Sequence, residues 1–182
     1  KTLQIDIQDF KLKENSFDHV ISRFGVMFFQ YPILAFSNIF KSLKIGGDFT
    51  FVCWTNFKNN QFHSIPAYMI QKKTNIKIPN IDNSPGPFAF HEKKYLISIL
   101  KKSSFKDFSI KNIKTTLKVN TLEIDVDIMM NIGTGARMLK ENNASIELVK
   151  NIKDNLTNKL FKKIFSVSKV YSANIYLVQA FK

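Results

Sequence analysis

One cysteine, Cys53, stands in a chain of 182 residues. No internal disulfide is possible and no thiolate metal cluster can form, so a reducing, cytoplasmic setting is expected. Arginine is nearly as scarce: Arg23 and Arg137 are the only two, and the other 25 of the 27 basic residues are lysines. That balance argues against a protein that reads bases or clamps phosphates through the guanidinium fork. Lys, Ile (22), Phe (18) and Asn (17) fill 82 positions, and all four have A/T-rich codons. Biased composition accounts for the net charge of +13 at least as well as an acidic partner does. Long apolar runs are also missing. The longest nearly uncharged stretch, Phe24 to Phe40, is broken by Gln30, Tyr31, Pro32, Ser37 and Asn38, so no membrane-spanning segment is predicted. His19, His63 and His91 lack metal-ligand spacing, and no metal site is expected. The chain opens at Lys1 with neither methionine nor signal peptide and is expected to start mid-protein.

With 45% hydrophobic residues the length suits one domain. Leu3, Ile5 and Ile7 alternate with polar residues, which predicts an opening strand over Thr2 to Gln8. Phe17 to Met27 is an apolar run of the kind a parallel strand covered on both faces would show. Pro32 opens a helix with Leu34, Ala35, Ile39, Phe40 and Leu43 on one face, and Gly46-Gly47 is its expected stop. A strand from Asp48 to Trp54 follows. Strand, helix and strand in a row predict a right-handed crossover in an open α/β sheet, whose ligands sit beyond the carboxyl ends of the strands. Further on, the pattern predicts a helix near Gln61 to Lys73, a Pro/Gly loop to Pro87, a helix near Glu92 to Lys102 and a bent strand from Phe105 to Val119. Two helices are predicted over Leu122 to Glu141 and Ser145 to Phe165, then a strand from Val170 to Phe181, interior to the sheet and antiparallel to the Asp48 strand.

The run Phe17-Asp18-His19-Val20-Ile21-Ser22-Arg23-Phe24-Gly25-Val26-Met27-Phe28-Phe29, followed at helix distance by Leu43-Lys44-Ile45-Gly46-Gly47-Asp48-Phe49, resembles the class I S-adenosylmethionine-dependent methyltransferases. Asp6-Ile7-Gln8, Trp54, the Pro85 to Phe90 loop and the Ile132 to Arg137 segment extend the likeness over the chain. Ile45 stands where the family carries proline. The implied fold is a Rossmann-like three-layer α/β sheet, N-terminally incomplete, with a helical cap insertion. As one methyltransferase-like domain, 1–182, it divides into central strands and crossover helix (1–60), cap and loop (61–90), helix and strand (91–120), cap insertion (121–166) and final strand (167–182).

The family's opening strand and glycine-rich Asp-x-Gly-x-Gly-x-Gly loop, with the acidic residue for the ribose, are not in this sequence. Asp127 upstream of Gly133-Thr134-Gly135 imitates the motif, but a helical pattern precedes it, and a lone Gly-x-Gly is weak evidence.

The resemblance implies S-adenosylmethionine as cofactor and methyl transfer to a small-molecule acceptor. Asp6, Ile7 and Gln8 would meet the adenine, while Ser22, Arg23 and Phe24 would meet the amino-acid end. Met27, Phe28, Trp54, Phe88 and Arg137 would line the acceptor side, aromatic faces being suited to a sulfonium. His63 is a weak candidate base, and no catalytic residue is assigned. Two other readings remain. One is a non-catalytic fragment that forms homodimers through an exposed sheet edge at the Val20 strand. The other is a lysine-rich nucleic-acid binder, disfavoured because the lysines are dispersed over every segment and no recognition motif occurs.

Overall fold

In the computed structural model, which describes residues 2–182, strand β1 (Phe17–Arg23) pairs in parallel with β2 (Leu43–Trp54), Val20 beside Phe49 and Arg23 beside Val52. Lys1, on which the expected mid-protein start rests, lies outside the described residues. Helix α1 (Pro32–Ser42) makes the crossover, with Pro32 in its first turn, where a missing N–H costs nothing.

The Gly46-Gly47 pair is not the helix stop that the sequence suggests. Helix α1 ends at Ser42, and both glycines lie inside β2. Gly46 has φ +81°, and a Cβ on Gly47 would stand 2.8 Å from the Asp18 carbonyl oxygen and 3.0 Å from that of Lys44. The β1–β2 register shifts between Phe17 and His19, beside this point. The glycines therefore serve an irregularity within a strand, where the neighbouring backbone comes too close for a side chain.

Strand β4 (Val170–Phe181) runs antiparallel to β2, Asp48 opposite Phe181 and Trp54 opposite Ile175, as expected. The sheet order is β1-β2-β4-β3, with β3 spanning Asp107–Lys118, so β4 is interior and β1 is an edge.

The opening strand is not formed. Residues 2–6 are irregular and 7–9 make a turn. Local polar groups take the backbone instead: the Asn38 amide donates to the carbonyls of Ile7 (2.8 Å) and Gln8 (3.0 Å), and the Asp6 carboxylate accepts from the Gln8 N–H at 2.9 Å. Groups that a sheet ladder needs are thereby used by side chains.

The chain divides into two compact units. The first comprises Lys1–Thr55, Asp82–Ile113 and Ile175–Lys182, and the second Asn56–Ile81 and Lys114–Asn174. In the first, α1 and α3 (Lys93–Lys102) pack against each other and over one face of the sheet, around Phe36, Phe49, Phe51, Phe90 and Phe105. Strand β1 is not covered on both faces: Ile21 remains 81% exposed.

In the second unit, α2 (Gln61–Lys73), the helix expected there, packs with α4 (Leu122–Asn131), α5 (Thr134–Glu141) and α6 (Ile146–Leu160). The helix expected over Leu122 to Glu141 is two helices, because Gly133 at φ +91° breaks it. A π-helical turn, Phe161–Ser168, follows α6. The core gathers Met69, Val126, Met129, Leu156, Leu160, Ile164 and Tyr171.

Candidate active site at the ends of the parallel strands

Parallel pairing puts the carboxyl ends of β1 and β2 side by side. Immediately after β1 the backbone turns: Phe24 takes φ +56°, a left-handed conformation that costs a non-glycine residue about 1 kcal/mol or more. Two interactions hold it there. The Phe24 N–H donates to the Val52 carbonyl at 3.1 Å, and its ring stacks on Trp54 with centroids 4.2 Å apart. Both rings are half-buried, so the stack forms an aromatic wall at the strand ends. A Cβ on Gly25 would lie 3.2 Å from Ser22 Oγ, so a side chain there would crowd the half-buried serine.

Arg23 is exposed and is in no ion pair among the described residues. It is a cation held by a strand end with its head in water. Met27 is buried in the short turn Val26–Phe28, and its carbonyl accepts from the Gly86 N–H at 3.0 Å, tying the Pro/Gly loop to the end of β1. Phe28 is 55% exposed, while Phe88 is buried beside Ala89 and Phe90. Of the apolar candidates, Met27 and Phe88 are therefore packing residues, leaving Phe28 and Trp54 with surface to offer.

Asp6, Ile7 and Gln8 are fixed without a strand. Besides the Asn38 clamp, Gln8 Oε1 accepts from the N–H of Tyr31, the residue before α1, at 2.6 Å, and Gln8 Nε2 donates to both Asp6 oxygens at 3.1 Å. The segment is thus docked at the start of the helix that follows β1, and the exposed Asp6 carboxylate keeps lone pairs to accept further hydrogen bonds. Sequence reasoning missed Asn38. An Asn beside Ser37 amid the apolar residues Pro32 to Phe40 was the available signal.

Two candidates lie in the second unit. Arg137 is exposed on α5, its Nε donating to Glu141 at 2.7 Å, at the rim of a groove of about 970 Å³ that Ile132, Leu139 and Val149 help to line. His63 is half-buried on α2, and a Cβ on Gly133 would stand 3.0 Å from its Nδ1. Desolvation lowers its pKa from 6.5 to about 4, leaving a neutral imidazole packed against a helix break. Gly135 has a steric task too, since its Cβ would meet Pro66 at 2.9 Å. The Gly133-x-Gly135 pair therefore serves helix packing, consistent with rejecting it as a cofactor loop.

Cys53 is buried, and burial pushes its thiol up to about 12, so it packs and does not react at neutral pH. Among the described residues no three His, Cys, Asp or Glu side chains gather to hold a metal ion, and no helix is long and apolar enough to cross a membrane.

Residues 1–51 match the family model described as a methyltransferase domain. No curated protein matches the chain. Among solved structures, a Bacillus halodurans C-125 protein with a provisional methyltransferase assignment superposes with a TM-score of 0.53 at 18% identity, over 98% of this chain and 70% of its own. The YcgJ protein of Bacillus subtilis gives 0.50 at 10% identity, over 99% and 70%. A phosphoethanolamine N-methyltransferase of Haemonchus contortus, solved with S-adenosylhomocysteine, is matched at 0.46 and 18% identity over 97% of this chain but 36% of its own. The chain thus spans about a third of the nematode enzyme and 70% of the two Bacillus proteins. With the methyltransferase-domain match at its start and the mixed parallel sheet behind it, this chain has a Rossmann-like α/β fold similar to that of the Bacillus halodurans protein.

Proposed function

We propose that the chain contributes to methyl transfer from S-adenosylmethionine to a small-molecule acceptor, in a cytoplasmic setting. The observation that carries this reading is the Phe24–Trp54 stack at the carboxyl ends of the parallel strands, which follow the docked Asp6–Gln8 segment in a chain whose residues 1–51 match the methyltransferase-domain model. The residues present fit part of the cofactor. Asp6 would accept from the adenine amino group, Arg23 would neutralise the carboxylate, and the stacked rings would present their faces to a cation. A glycine-rich backbone cradle and a ribose carboxylate are not in this sequence. When bound, the cofactor supplies an electrophilic methyl group. The chain's own contribution is position and exclusion of water, which suffice for an in-line displacement by an acceptor that already has a free lone pair.

Titration of the chain with S-adenosylhomocysteine tests this. Each net hydrogen bond is worth about 0.5–1.5 kcal/mol, so a site lacking several should bind with a Kd near the millimolar range. Binding should disappear in Asp6→Ala and Trp54→Ala. Micromolar binding would show that the site is not partial, and no binding at millimolar ligand would sink the cofactor assignment.

The bare edge of β1 favours a second reading, a fragment that self-associates through that edge without catalysis. Residues 2–8 form no strand to pair with it.

A further inference from the structure

The sequence spreads lysine through every segment, but the fold gathers five of them on the second unit. Met69, near the end of α2, shares a buried cluster with Leu160 and Ile164, at and just beyond the end of α6. The carboxyl ends of the two helices therefore come together. Lys72 and Lys73 stand in the last turn of α2, Lys159 in that of α6, and Lys162 and Lys163 in the π-helical turn. None of the five forms an ion pair among the described residues. Lys159 is half-buried, and desolvation, with the charges of Lys163 and Lys72, holds its pKa below the usual lysine range. In the same turn Phe161 is 57% exposed while Ile164 is buried.

The helix ends attract cations over their last turn, which accounts for one or two lysines and leaves the exposed ring unexplained. π-helical turns are rare and are found frequently at functional sites. An uncompensated cationic surface around an exposed aromatic ring has the chemistry of a single-stranded polyanion with stackable bases.

We propose that this surface binds single-stranded nucleic acid, with Lys72, Lys73, Lys159, Lys162 and Lys163 on backbone phosphates and the Phe161 ring as a stacking platform. Lysine is suited to sequence-independent contact because it acts as a point charge, and no arginine stands in the cluster to read bases. A membrane surface fits less well, since stable interfacial docking uses a continuous apolar face. Here Phe161 and Val167 are the turn's exposed large apolar side chains.

The test is fluorescence anisotropy of the full chain with a labelled oligo(dT) of about 12 nucleotides at several salt concentrations. Each phosphate neutralised contributes about 0.7 to the slope of log K against log salt. Lys159→Gln with Lys163→Gln should lower that slope by about 1.4 and weaken binding at least about tenfold at low salt. Lys72→Gln with Lys73→Gln gives an independent second pair should the first disturb folding, which circular dichroism reads. Lys101→Gln with Lys102→Gln, on α3, should change neither slope nor affinity. Phe161→Ala should weaken binding with the slope unchanged. Equal losses from the α3 pair would show that overall charge alone binds the oligonucleotide. Binding to phosphatidylserine vesicles without binding to oligo(dT) would also overturn the proposal.

Discussion

The Phe24 ring lies 4.2 Å from that of Trp54 and within 16° of parallel, joining a residue with a left-handed backbone at the end of β1 to the last residue of β2. The stack offsets the conformational cost at Phe24. Trp54→Ala should therefore destabilise the first unit by about 2–4 kcal/mol, through lost burial and an unsupported turn. Phe24→Gly relieves the backbone but loses the stack, and should cost about 1 kcal/mol. Urea unfolding followed by circular dichroism checks both. A Phe24→Gly protein more stable than the parent would mean that the stack contributes little.

Gly46 and Gly47 should differ sharply although they are neighbours. Nothing lies within 4 Å of a Cβ at Gly46, so Gly46→Ala meets only the positive φ and should cost about 1–2 kcal/mol. At Gly47 the obstacles are the Asp18 and Lys44 backbone oxygens, which cannot swing aside as a side chain would. Gly47→Ala should cost about 3 kcal/mol or more, or prevent β1 from pairing. Comparing midpoints of thermal unfolding decides it, and equal losses would contradict the structure.

His63 makes stability depend on acid. Its folded pKa is about 4 against 6.5 for the free side chain, so on acidification the unfolded chain takes up the proton first. The neutral His63 contribution is complete above about pH 6.5 and is lost as pH falls toward 4, up to about 3 kcal/mol. His63→Gln should flatten the dependence of the urea midpoint between pH 7 and 4.5. Parallel curves for parent and variant would place His63 in contact with water.

The buried hydroxyl of Tyr171 donates to Asp125 at 2.9 Å, and the Asn120 side chain donates to the other carboxylate oxygen at 2.9 Å. Both Asp125 and Tyr171 are fully buried. Tyr171→Phe removes one donor from a buried carboxylate and should cost about 1–3 kcal/mol. Asp125→Asn together with Tyr171→Phe should cost less than the sum of the two single changes, which a double-mutant cycle measures.

Sedimentation velocity tests the free edge of β1. A concentration-dependent dimer, strengthened by salt because each copy carries +13, is expected of the self-associating reading. Ile21→Lys, on the exposed strand, should abolish it, and Ile45→Lys, at a site 91% exposed on β2, should serve as control. A monomer at all concentrations would remove that reading.

The local elements were legible because they follow from short-range pattern. Pro32 marks the start of α1, alternation marks β4, and the order strand-helix-strand sets a parallel β1–β2 pair with carboxyl ends together. Alternation over Thr2 to Gln8 predicts a strand, yet pattern says nothing about which groups will claim the backbone. Asn38, thirty residues away, claims it. Likewise Gly46-Gly47 and Gly133-x-Gly135 look alike as turn signals. Only the approach of the Asp18 carbonyl, His63 and Pro66 shows that each pair solves a close-contact problem. The lysines give the same lesson for charge: composition fixes the total, but the packing of Met69 with Leu160 and Ile164 brings together the lysine-bearing ends of two helices distant in sequence. Periodicity is a property of neighbours in sequence, whereas hydrogen-bond partners, steric clearance and electrostatic fields depend on distances that exist only once the chain has folded.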